Sequence, residues 1–226
     1  MVSLSLDETN LNVMKKLVLI GAAIVALSFT DRKVPVVVTT PAMSETAMQQ
    51  NRMTFLLDYY QKTSDQLEAQ LKGLTSSQLQ FQPSADRWSI SQCVEHIILT
   101  EKMLFGMAKE TLAQPANPER KNEVHFSDQQ LIDGIVDRSH KAEASADLIG
   151  EGKYTDVATA MADFRAQREI IRKYLDGISA DDLQNHISDS PFGAIDGYHS
   201  LLFVAGLTAR HSLQIEEVKA DPEFPR

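Results

Sequence analysis

The chain has 226 residues, a length for one domain with appendages, and 43% of them are hydrophobic against 23% charged, which excludes a disordered chain. Its 31 acidic and 22 basic residues leave a net charge of −9 with no Lys/Arg cluster, so no nucleic-acid partner is expected. The single cysteine excludes an intramolecular disulfide and a multi-cysteine metal ribbon, while the few glycines (10) and prolines (8) favour long helices over a β-sandwich.

The N-terminus reads as an address. Lys15 and Lys16 precede an apolar run from Leu17 to Leu27, and small or polar residues follow. A basic start, a short apolar core and a small-residue exit describe a secretory signal peptide. The run is too short for a membrane span, which needs about 20 apolar residues. Residues 1–30 are therefore expected to be a signal peptide, with Met14 the more natural start, and the mature protein to be exported. The alternative is an uncleaved leader, the one route by which this chain would meet a membrane. Residues 31–43 are β-branched and bracketed by prolines, and read as an extended linker.

From Ser44 onward the periodicity is helical, giving a bundle domain over 44–226. Met48, Phe55, Leu56, Tyr59, Leu67 and Leu71 form the first stripe, which Gly73 ends. Thr75-x-x-Gln78 suggests one short turn. Ser89-x-x-Gln92 is a capping-box pattern that opens a second helix, Ile90 to about Leu112. One stripe of that helix holds Ile90, Val94, Ile97, Glu101, Leu104 and Ala108. The neighbouring stripe holds Cys93, His96, Thr100, Met103 and Met107. A loop over 113–126 leads to Ser127-x-x-Gln130 and a shorter helix with Leu131, Ile132, Ile135 and Val136. The third long helix is expected from about Asp156 to Leu175, stopped by Gly177. The last is expected from about Ile195 to Lys219, carrying Leu201, Val204, Thr208, His211, Ile215 and Val218 inward and ending at Asp221-Pro222. No strand-rich region is apparent. The fold class expected is all-α, a four-helix bundle with one long crossover after the second helix.

Of the six histidines, His96 and His211 fall on inward stripes of two helices that would face each other. Bundles build metal sites from such positions, and imidazole suits zinc, nickel, copper or iron. On spacing alone, a lone inward histidine is more commonly a hydrogen-bonded core residue. Cys93 stands one turn before His96, where it is either a substitute ligand or a small buried hydrophobe. Glu101 is either a partner that orients the His96 imidazole or the polar end of a metal-free pocket. Trp88 reads first as an aromatic staple between loop and core. With Thr100 and Thr208 it marks the rim of a pocket between the second and last helices. Arg210, Glu216 and Glu217 read as solvated helix surface.

Arg87-Trp88-Ser89 with His96 resembles the Trp-Ser-(six residues)-His signature of the DinB-like family. Asp137-Arg138-Ser139 with Lys141, Phe192 to Tyr198 with Leu201-Leu202-Phe203, and Arg210 to Lys219 are similar to pieces of one branch of it, in the same order. The resemblance covers residues 45–226 and implies a four-helix bundle that often holds a divalent metal (zinc, nickel, manganese or iron) through three histidines. His96 matches the first ligand and His211 the third. The second falls at Leu207, one turn before His211, and leucine binds no metal. The resemblance thus leaves three readings. The first is an exported bundle with an incomplete metal site, holding a small molecule or serving a stress-associated role. The second is a divalent-metal-dependent hydrolase or thiol transferase. The third is a structural bundle that self-associates as a homodimer.

Overall fold

The computed structural model describes residues 45–139, 143–191 and 193–226. The signal peptide and linker expectations lie outside the described residues. The chain forms α1 (Glu45–Leu71), α2 (Ser76–Gln80), α3 (Ile90–Leu112), α4 (Asp128–Val136), α5 (Val157–Leu175), α6 (Ala180–Gln184), β1 (Ile187–Ser190), β2 (Gly193–Asp196) and α7 (Gly197–Lys219). Short 3-10 turns at Pro118–Glu123 and Ala146–Leu148 interrupt the crossover from α3 to α5.

Helix starts follow local chemistry. Thr75, Ser89, Ser127 and Ser179 each close a capping box with the residue three positions on, so two otherwise orphaned backbone N–H groups are satisfied at each start. Asp156 caps α5 and Asp196 caps α7 through single side-chain acceptors. The Ser179 cap starts α6, a helix that the periodicity gave no reason to expect.

The four long helices are α1, α3, α5 and α7. α7 packs against α1, α3 and α4, and α5 packs chiefly on α3. The start of α7 lies against the end of α3, since a Cβ on Gly197 would come 2.7 Å from Leu112 Cδ2. These two helices therefore run antiparallel, which sets His96 opposite His211. Burial separates two clusters. One gathers Leu56, Phe105, Ile135, Ile171 and Leu201, and the other Leu67, Ile90, Val94, Phe164 and Ile215.

Between them on α5, after Phe164 and before Ile171, sits Arg168, 8% exposed. Its guanidinium donates to Glu101 of α3 (Nε–Oε2 3.1 Å), to Thr208 of α7 (2.8 Å) and to the Tyr60 carbonyl of α1 (3.0 Å). Thr208 in turn donates to Glu101 Oε1 at 2.6 Å. One side chain thus ties all four long helices, with the partners a buried guanidinium and carboxylate require.

Two features differ from the sequence expectation. Met48 and Phe55 are 48% and 40% exposed, because the packed face of α1 runs through Leu56, Tyr60, Thr63, Leu67 and Leu71. Ile195 and Asp196, expected to begin the last helix, instead end an unexpected antiparallel hairpin, with Ile187 opposite Asp196 and Ser190 opposite Gly193. Gly193 takes φ +99° there, a conformation open to glycine.

Candidate functional site

A cavity of about 620 Å³ opens between α3 and α7, under the crossover. Trp88, His96, Thr100, Met103 and Leu104 line one side; Phe203, Leu207, Arg210, His211 and Gln214 line the other; Leu148 and Ile149 cover it. The His96 and His211 ring centres are 4.5 Å apart, edge to face at 70°. Trp88 stands 4.8 Å from His96 and stacks over His211 at 6.2 Å. Beyond a staple, the indole is therefore a wall of the cavity, although it also packs on the second apolar cluster.

Both imidazoles are fixed at Nδ1. His96 Nδ1 lies 2.6 Å from the Leu148 carbonyl, which can only accept, so that nitrogen carries the hydrogen. His211 Nδ1 lies 2.8 Å from Gln214 Oε1. Arg138 Nη1 lies 3.5 Å from that same oxygen, which favours the amide oxygen over its NH2 there and so gives the hydrogen to His211 Nδ1. Each ring then keeps its lone pair on Nε2, near which Thr100 Oγ1 stands 3.3 Å from that of His96. Burial pushes the His96 pKa below its usual value, against the opposing bond to Leu148. Burial, then the neighbouring His96, holds His211 well below it. Both rings are neutral near pH 7.

The crossover is fastened where it meets His96. Gln92 donates to the Gly150 carbonyl at 3.1 Å, and Glu95 accepts from the Gly152 and Lys153 amides at 2.9 and 3.2 Å. Ser91 accepts from the Tyr154 amide at 2.9 Å. A Cβ on Gly150 would come 2.5 Å from the Gln92 carbonyl oxygen, so only glycine lets the loop lie this close to α3. The first turns of α3 thereby hold the segment that presents the Leu148 carbonyl.

Arginines ring the mouth, and none was apparent from spacing. Arg138 forks onto Glu217 at 2.6 and 2.8 Å. Arg87 reaches Asp221 at 3.2 Å. Arg210, expected on the surface, is partly buried on the cavity wall and donates to the Ile135 carbonyl at 2.9 Å and to that of Asp137.

Of the other sequence candidates, Thr100 and Leu207 line the cavity, while Cys93, Glu101 and Thr208 do not. Cys93 is wholly buried in the second apolar cluster, and burial pushes its thiol up to about 12. That environment suits a small hydrophobe and not a ligand thiolate. The Glu101 carboxylate is taken by Arg168 and Thr208. His199 is held between Asp196 (2.8 Å) and Asp128 (3.1 Å), away from Leu207.

A catalytic divalent metal normally takes three protein ligands and leaves one position open. Here the cavity offers two imidazoles, with a leucine one turn before His211. Among the described residues no group of three His, Cys, Asp or Glu side chains is placed to hold a metal ion. The described side chains do not fit such a metal.

Comparison with known proteins places this geometry in a family. Among solved structures, the chain is similar to YfiT from Bacillus subtilis, described as a probable metal-dependent hydrolase with an unusual four-helix bundle topology. The two share 13% identity, with a TM-score of 0.50, over 80% of this chain and 90% of that one. No curated protein matches. The DinB superfamily model matches residues 59–215, which include Trp88, both imidazoles and Leu207. The chain belongs to the DinB superfamily.

Proposed function

We propose that this chain is an exported DinB-superfamily bundle that binds a small molecule between α3 and α7 without a catalytic metal. The observation that carries this is Leu207, which lines the cavity one turn before His211, where a third ligand would stand. Two neutral imidazoles with aromatic and aliphatic walls make a concave, mostly apolar site with a few fixed polar groups, the usual form of a small-molecule pocket. The reading of residues 1–30 as a signal peptide supports export.

The test is elemental analysis of untagged mature protein after loading with zinc, nickel, manganese or iron(II) and desalting. The wild type retains none at micromolar metal, and Leu207→His gains stoichiometric retention. Retention by the wild type that disappears in His96→Ala and His211→Ala overturns the proposal.

One observation favours a second reading, the divalent-metal-dependent hydrolase or thiol transferase. Both Nδ1 atoms are anchored to oxygen acceptors, the arrangement that orients metal-ligating histidines. The same loading experiment separates the two.

A further inference from the structure

Away from its charged mouth, the described lining of the cavity offers few hydrogen-bond donors. His96 and His211 each hold their Nδ1 hydrogen on a fixed oxygen, Leu148 O and Gln214 Oε1, and so turn an acceptor nitrogen, Nε2, to other partners. Among the described residues the Thr100 hydroxyl is placed to donate to the His96 Nε2, at 3.3 Å, which leaves the His211 Nε2 as the acceptor for a ligand. Further along the two helices the lining is Met103, Leu104, Phe203 and Leu207, side chains without a strong donor.

The three arginines at the mouth each already meet an acceptor. Arg138 is forked on Glu217, Arg87 on Asp221, and Arg210 on backbone carbonyls. Beyond the mouth, an anionic ligand would meet lone pairs beside the imidazoles. An organic cation would leave the carboxylates of the mouth, Asp86, Glu143 and Glu217, for an interior whose described lining carries no anionic side chain. A neutral molecule with its own donor meets neither obstacle. A ring also suits Trp88, an aromatic wall of the cavity.

We propose that this cavity selects a neutral aromatic molecule bearing a hydroxyl donor, a phenol, with its O–H directed at the His211 Nε2 and its ring against Trp88. This rests on the small-molecule reading of the site. It goes beyond that reading by assigning the ligand's chemical class.

Trp88 is the only tryptophan in the chain, so its fluorescence reports this cavity alone. The experiment titrates the full mature chain with p-cresol, 4-methylanisole, benzylamine and benzoate and follows that emission. 4-Methylanisole differs from p-cresol only in a methyl group on the oxygen, which removes the donor. A neutral hydrogen bond corresponds to about a fivefold preference, so p-cresol binds about fivefold tighter than its methyl ether. Benzylamine and benzoate bind more weakly than p-cresol. His211→Phe keeps a ring and removes the acceptor, and levels p-cresol with the ether while circular dichroism stays helical.

Equal or tighter binding of the ether to the wild type overturns the phenol assignment, and so does tighter binding of either ion. Both of those results leave the small-molecule reading standing. Failure of all four probes to change Trp88 emission overturns the assignment and counts against that broader reading too. The wild-type series decides the matter even if the variant does not fold.

Discussion

Replacing Arg168 with methionine tests how the bundle is held at its centre. The guanidinium and the Glu101 carboxylate are 8% and 1% exposed, so solvent does little to screen either. Methionine keeps much of the volume but leaves the carboxylate with Thr208 as its remaining side-chain donor, while the Tyr60 carbonyl keeps the Thr63 and Ser64 hydroxyls. Breaking one side of a buried pair costs about 3–5 kcal/mol, because the surviving charge stays desolvated. A domain's whole stability is about 5–15 kcal/mol, so Arg168→Met is expected to consume a large part of it. Urea unfolding followed by circular dichroism measures the loss. The double variant Arg168→Met/Glu101→Leu removes both charges and is expected to recover most of it, since apolar replacement of a buried pair is often neutral. A loss under about 1 kcal/mol in the single variant, or a double variant no more stable than the single, refutes the reasoning.

Three other outcomes follow from local chemistry. His199 faces Asp196 and Asp128 through its two ring nitrogens, with Tyr198 and Arg52 also on Asp128, and these carboxylates raise its pKa to about 9 against the opposing burial. The folded value lies above the unfolded 6.5, so this contribution is complete below pH 6.5 and is lost as pH rises through about 9. Stability of the wild type is expected to fall across that window, and to fall less in His199→Gln, by urea titration at several pH values. Cys93, wholly buried with its thiol pushed up to about 12, is expected to resist a disulfide reagent until the protein is unfolded. Gly150→Ala places a methyl group against the Gln92 carbonyl and is expected to cost about 1–3 kcal/mol by thermal unfolding.

The helices were readable because their ends depend on neighbours in sequence. Ser89 with Gln92 and Ser127 with Gln130 announce α3 and α4, and both boxes are formed. His96 and His211 could be placed opposite each other from their stripes, because a helix fixes which residues share a face. Arg168 could not be read, since an arginine in an amphipathic helix looks like solvated surface until three other helices supply its acceptors. Arg138 and Arg210 were missed for the same reason: Glu217 and the Ile135 carbonyl are 79 and 75 residues away in sequence. The hairpin before α7 escaped notice because its strands are four residues each and partly polar. Its local signal was Gly193, two residues after Pro191.

The central claim is that both imidazoles keep their lone pairs on Nε2, and that the His211 Nε2 serves a molecule rather than a metal. Nitrogen NMR of the histidine rings tests it most directly, because protonated, lone-pair and metal-bound nitrogens resonate apart. The account predicts Nδ1–H, Nε2-lone-pair rings for His96 and His211, unchanged by one equivalent of zinc and shifted at the His211 Nε2 by p-cresol. Conversion of both Nε2 signals to a metal-bound form at one equivalent of zinc would contradict it.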